Sequence, residues 1–314
     1  MTCLRAYAQN TQRPGARVVG LLASRSAADS VAPLAAFRIG LTETGYAEGR
    51  DFRIEFRWAD NDYSRLPALA GELVALKVDV ITATGAPAAI AARNATRSIP
   101  IVFYMGEDPV SLGLVPTLNH PGANVTGVAY MSSVVMAKRL ELLHEVLPRA
   151  APIAVLVNPK NPNARISSAD ANGAARAVGR TTQLLNASTA AEIEAAFAVL
   201  SRQKSAALLI APDGLFNGRV EQLAALAIKN KIAASHEIPS FPHSGGLMSY
   251  GGSNVEGWRQ TGIYTARILK GEKTSTLPIM QPTKLALVIN LKTAKLLGLT
   301  VPNSLLLRAD EVID

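Results

Sequence analysis

The chain is nearly devoid of cysteine. Cys3 is the one thiol in 314 residues, so an internal disulfide and a cysteine-based metal site are both excluded. Long apolar runs are also missing. No stretch approaches the roughly 20 residues that span a bilayer, although 48% of the chain is hydrophobic. Charge is not clustered. The formal net charge is +8, but Lys and Arg are scattered and form no basic block, which suits solubility and weak anion steering better than nucleic-acid binding. Aromatics make up only 5% of the chain. There is no GxSxG, P-loop, GxGxxG or HExxH motif, so nothing marks a nucleophile elbow, a nucleotide cradle or a zinc protease. The histidines, His120, His144, His236 and His243, stand at no metal-ligand spacing from each other or from a carboxylate pair. No cofactor and no metal are expected.

What remains is a regular alternation of apolar runs and amphipathic stretches. Arg17–Ala23 reads as a first strand, and Leu34, Phe37 and Leu41 follow at helical spacing with Gly45 as the stop. Phe52, Ile54 and Phe56 alternate with charged residues, as in a half-exposed edge strand. Val78–Ile81, Ile99–Tyr104 and Val125–Val128 complete five strands, which is the plan of a doubly wound parallel sheet. The pattern then restarts. Ile153–Val157, Thr181–Leu185, Ala206–Ile210 and Ile232–Ala234 read as strands separated by helices. Gly245–Gly252 and Ile279–Asn290 do not fit two simple beads, and glycine-bounded segments of this kind serve as hinges where a chain crosses between two halves. The expected fold class is therefore α/β, with two doubly wound Rossmann-like lobes.

In such sheets ligands bind at the carboxyl ends of strands. The most informative end is Thr84-Gly85-Ala86-Pro87, where a buried strand turns into an alanine-rich helix with Pro87 in its first turn. Free N–H groups and the helix dipole make that turn a cradle for a carboxylate, or Thr84 only caps the helix. Asp108 and Asp213 end strands in the two halves. They fit an acid–base pair, two helix caps, or an acceptor for a ligand ammonium. Asn158 ends another strand. His236 follows a strand at the same end, where it bonds a ligand or packs its loop. Tyr104, Phe216 and Tyr250 are aromatics at the same end, suited to covering a flat or apolar ligand.

Longer matches carry a family likeness. They include Ala35-Ala36-Phe37-Arg38-x-Gly40-Leu41, Gly45-Tyr46-x-Glu48-Gly49-Arg50 and Arg65-Leu66-Pro67-Ala68-Leu69-Ala70. Asp108-Pro109-Val110, Pro121-Gly122-x-Asn124-Val125-Thr126-Gly127, Gly246–Gly251, Gln281-Pro282-Thr283-Lys284 and Leu305–Val312 continue them. From Arg17 onward the chain resembles ABC-transporter solute-binding proteins of the group that includes bacterial tryptophan- and tyrosine-binding lipoproteins. The resemblance implies a type I periplasmic binding protein with three hinge crossings, a small-molecule ligand between the lobes, a membrane permease as partner, a monomer, and export to the periplasm. The expected division is 1–16 as a signal-peptide remnant or disordered arm, 17–127 plus 248–278 as lobe 1, and 128–247 plus 279–314 as lobe 2. Ala6-Tyr7-Ala8 fits a signal-peptide cleavage site, although no apolar segment precedes it, and Cys3 sits in no proper lipobox. The amino-acid ligands of relatives suggest an aromatic amino acid or related carboxylate. In that pose Ser24, Ser26, Thr84, Gly85 and Ala86 take the carboxylate, Asp213 or Asp108 takes an ammonium, and Tyr104, Phe216, His236 and Tyr250 enclose the ring. The rival reading is an enzyme using Asp108 and Asp213 in the same cleft. A two-lobed transcription regulator is set aside, because only sixteen residues precede the first strand.

Overall fold

A computed structural model describes residues 15–130, 132–148, 152–203, 207–281 and 284–314. Cys3, Ala6–Ala8, Ala206, Pro282 and Thr283 lie outside the described residues. Two sheets organise the rest. The first has the order β2-β1-β3-β4-β5, built from β1 (Arg17–Ala23), β2 (Phe52–Trp58), β3 (Val80–Thr84), β4 (Ile101–Met105) and β5 (Val125–Ala129), all parallel. The second adds β6 (Ile153–Val157), β7 (Thr182–Asn186), β8 (Ala207–Ile210), β9 (Ala233–His236), β10 (Met248–Gly252), β11 (Leu285–Asn290) and β12 (Glu311–Ile313). Its order is β12-β11-β10-β9-β8-β6-β7, and only the β10–β11 pair is antiparallel.

Strand composition follows burial. β3, β4, β5, β6 and β8 are buried along their whole length, as parallel strands covered on both faces must be. β2 stands at an edge and carries the alternating charges. The side chains of β3 divide between two cores. Ile81 and Ala83 join one face with Leu73 and Phe103, and Val80 joins the other with Phe37 and Trp258. The second sheet is likewise covered twice, by clusters centred on Leu143 and Ile289 and on Phe197 and Phe216.

The chain crosses between lobes three times. The first crossing lies between Ala129 and the helix Ser132–Val146, which packs on β8, β9 and β10. The second is at Ser253. The expected boundary at 248 differs from this, because β10 pairs inside the second sheet and lobe 1 is re-entered only with the helix Asn254–Leu269. That helix belongs to lobe 1 by close approach. Gly40 on the helix Val31–Glu43 and Gly262 meet backbone to backbone, so that a methyl at either would collide with a carbonyl, of Arg259 or of Phe37. Thr82 and Thr265 add a buried hydroxyl pair at 3.0 Å. After it, Met280 pairs alongside β5 through Met280 N to Gly127 O and Ala129 N to Met280 O, each 2.9 Å, and the third crossing leads to β11.

Candidate functional site

The register of the first sheet sets one wall of a cleft. Ala23, Thr84 and Tyr104 are directly paired across β1, β3 and β4, so Ser24 and Gly85 leave the sheet side by side, next to Met105 at the end of β4. Gly85 is the N-cap of the helix Ala86–Ala95, with φ +93°. An added Cβ there would come 2.8 Å from Ser24 Oγ. Its own N–H is spent on the Tyr104 carbonyl at 2.8 Å, and Pro87 has none. The first-turn amides of Ala86 and Ala88 are left without intrahelical acceptors. Ser24 Oγ and Thr84 Oγ1, both deeply buried, have no hydrogen-bond partner among the described residues. Two hydroxyls and a helix N-terminus thus converge as donors for an anion.

The second lobe presents Asp213 opposite. Its carboxylate caps the short helix Gly214–Asn217 through Leu215 N at 2.8 Å. Asn158 Nδ2 at 3.1 Å and Asn161 Nδ2 at 2.8 Å donate to it from behind. Tyr63 reaches over from lobe 1 and donates its hydroxyl to both oxygens, at 3.1 and 3.0 Å. The lobes are therefore in contact and the cleft is closed. Burial raises the Asp213 carboxyl against the pull of these four donors. Glu107, at the end of β4, is raised to about 7, first by burial and then by the charges of Glu237 and Asp213. Glu237 follows β9 and accepts from Tyr130 at 3.2 Å and Asn217 at 2.8 Å. Arg25 is the cation of this wall.

These groups enclose a cavity of about 30 Å³ in this closed form. Of the residues expected from sequence, Ser24, Thr84, Gly85, Ala86, Tyr104 and Asp213 line it, and Asn158 stands one layer behind Asp213. The others are elsewhere. Ser26 bonds Asp29 at 2.7 Å, and Asp108 accepts from Val110 N at 2.9 Å in its own turn, so Asp108 and Asp213 do not face each other across the cavity. Phe216 is in the second-lobe core. His236 is buried, stacked on Phe241 at 5.4 Å, accepts from Ile238 N at 3.0 Å, and is held neutral by burial and by Arg139. Tyr250 packs on the core around Ile289. The residues that sequence reasoning missed are Arg25, Tyr63, Glu107, Tyr130, Asn161, Asn217 and Glu237. Four of them, Arg25, Glu107, Asn217 and Glu237, immediately adjoin residues it chose. No group of three or more His, Cys, Asp or Glu side chains suited to a metal occurs among the described residues.

Two doubly wound lobes, three crossings and a polar cavity between facing strand ends define a hinged solute-binding protein of the type I periplasmic fold. Residues 26–313 match the family described as ABC transporter substrate binding protein, and the chain belongs to that family. Its members bind small molecules outside the cytoplasm and work with a membrane permease. A tyrosine-binding protein of Clostridioides difficile strain R20291 is 29% identical over 274 residues, 86% of this chain and 79% of that one. The ABC domain of Streptococcus pneumonia solved in complex with L-Trp is 25% identical with a TM-score of 0.82, covering 95% of this chain and all of that one. A substrate-binding protein with adhesive properties from Clostridium difficile, solved ligand-free and open, is 27% identical over 95% of this chain and 99% of that one, but has a TM-score of only 0.64. The better superposition on the complex agrees with the closed cleft seen here. Among the described residues no helix is long and apolar enough to cross a membrane.

Proposed function

We propose that this chain is the periplasmic receptor of an importer for an aromatic amino acid or a closely related zwitterion, acting as a monomer that closes on its ligand. Lobe 1, 17–130 with 253–280, and lobe 2, the described residues of 132–252 and 284–314, are the two bodies that move. The carrying observation is the pairing of opposite chemistries across one cavity. Unpartnered buried hydroxyls of Ser24 and Thr84 beside a helix N-terminus suit a carboxylate, and the buried carboxylate of Asp213 opposite suits an ammonium. Tyr104 and Tyr130, with ring centroids 5.4 Å apart, offer an aromatic wall for the side chain. The tryptophan- and tyrosine-binding relatives support the same ligand class. An enzyme reading has no comparable support, since Asp108 is engaged in its turn and away from the cavity.

Native mass spectrometry of the purified protein, followed by denaturing release, tests this reading. One small aromatic amino acid per chain is expected, with compaction on rebinding by small-angle scattering. A protein that neither carries nor binds any aromatic amino acid by calorimetry overturns it.

A further inference from the structure

Glu237 and Asn217 form an unmatched acceptor pair beside the aromatic wall. Glu237 is 2% exposed. Its Oε1 is already satisfied by Tyr130 and Asn217. Its Oε2 is buried with no partner among the described residues, and the same is true of Asn217 Oδ1. Asn217 lines the main cavity. Glu237 lines a smaller enclosed space that shares Tyr104 and Tyr130 as its wall with the main cavity. Arg25, the nearby cation, turns one guanidinium nitrogen to the Asp29 carbonyl at 3.4 Å. Two buried acceptors lacking donors are costly unless a ligand supplies the protons.

We propose that Glu237, held by Tyr130 and aided by Asn217, is a specificity-determining residue that requires a hydrogen-bond donor on the ring end of the ligand. This rests on the amino-acid reading above. If Ser24, Thr84 and Asp213 hold the carboxylate and ammonium, the ring extends toward Tyr104 and Tyr130. A phenol O–H or an indole N–H then satisfies the acceptor pair, and a bare phenyl leaves it desolvated and unpaired. Sites built around a hydroxyl or N–H reject the analogue that lacks it far more strongly than apolar pockets reject a missing methylene.

Calorimetric affinities of L-Tyr, L-Trp, L-Phe and O-methyl-L-tyrosine for the wild type, Glu237→Gln and Asn217→Ala test it. The better of L-Tyr and L-Trp is expected to bind at least tenfold more tightly than L-Phe and O-methyl-L-tyrosine. In Glu237→Gln that gap narrows to under threefold, with L-Phe affinity held within threefold of wild type. Wild-type protein that binds L-Phe or O-methyl-L-tyrosine as tightly as the donors overturns the proposal, and this ladder decides even if a variant fails to fold. A Glu237→Gln variant that weakens all ligands by one factor also overturns it. If the wild type binds none of the four, the amino-acid reading itself falls, and this proposal with it.

Discussion

Removing one hydroxyl from Tyr63 isolates the energy of closure. Tyr63 stands in the turn Tyr63–Arg65 of lobe 1, and its partner Asp213 caps a helix of lobe 2. The bond between them, 3.0 to 3.1 Å, exists only when the lobes meet. A hydrogen bond to a charged group contributes about 1.5–3 kcal/mol net. In Tyr63→Phe three donors remain on the carboxylate, from Asn158, Asn161 and Leu215, which places the loss near the lower end. At about 1.4 kcal/mol per decade, ligand Kd should rise about tenfold, mostly through faster dissociation. Calorimetry and stopped-flow on a bound aromatic amino acid measure this. The ligand-free melting temperature should move by no more than about 1 °C, because a loss of 1 kcal/mol inside either lobe would shift it by about 2–4 °C. A Kd within about twofold of wild type would refute the reasoning. So would a loss of affinity matched by an equal loss of ligand-free stability, since the bond would then belong to the fold and not to closure.

Glu107 makes ligand-free closure pH-dependent. In an open, solvated cleft its carboxyl returns toward 4.5, while closure raises it to about 7. The closed form holds the proton more tightly, so falling pH favours closure. The penalty for closing grows as pH rises from about 4.5 and is complete above about 7, where it amounts to roughly 3 kcal/mol at about 1.4 kcal/mol per pH unit. Small-angle scattering of ligand-free protein between these limits should show compaction on acidification, and Glu107→Gln should abolish the trend. Gly85→Ala should weaken binding at least about tenfold and destabilise lobe 1 by ~1–3 kcal/mol, because φ is +93° and the new methyl meets Ser24 Oγ at 2.8 Å; calorimetry and thermal melts read the two effects. Gly262→Ala, remote from the cavity, should lower stability by ~1–3 kcal/mol through overpacking against the Phe37 carbonyl, with ligand affinity in the folded fraction unchanged.

The strands were legible because their signal is local. β1 spans Arg17–Ala23 as its composition predicts, and the turn at Gly85 and Pro87 announces itself by residue type. β6 likewise spans Ile153–Val157 as read, most of the others shift by one to three residues at an end, and the extended run 279–290 forms a strand only from Leu285, as hydrogen bonding rather than hydropathy decides the ends. β10 was harder to place, since an apolar centre bounded by glycines does not say which sheet will pair with it; Ser249 opposite Val288 settles that only in three dimensions. The site was legible where a loop leaves a strand in a single direction, as at Ser24 and Thr84. It was not where neighbours diverge. Adjacent residues leaving a strand point to opposite sides, so Asp108 and His236 turn away into a turn and a core while Glu107 and Glu237, one position along or back, reach the cleft region. Tyr63 had no local signal, because its meaning comes from a carboxylate 150 positions away.

That distribution of charge bears on how the receptor discriminates empty from loaded. Closing the cleft buries Glu107, Asp213 and Glu237 near two cations, Arg25 in the cavity wall and the buried Arg139 beside Glu237, and burial raises all three carboxyls. Like charges in a shared low-dielectric space repel, so a closed cleft without a cationic ligand either takes up a proton or forgoes closure. A zwitterion changes the balance from both ends. On the proposed pose its ammonium would supply the charge that Asp213 lacks, and its carboxylate would occupy the Ser24 and Thr84 hydroxyls, which have no partner among the described residues. A ligand shifts a conformational equilibrium only by its differential affinity for the two states, and here that difference is written into the site. The donors and acceptors left unmatched by the protein in the closed form are those that water can satisfy in the open form. An acid lacking the ammonium, or an amine lacking the carboxylate, would repair one half of the cavity and leave the other half opposing closure.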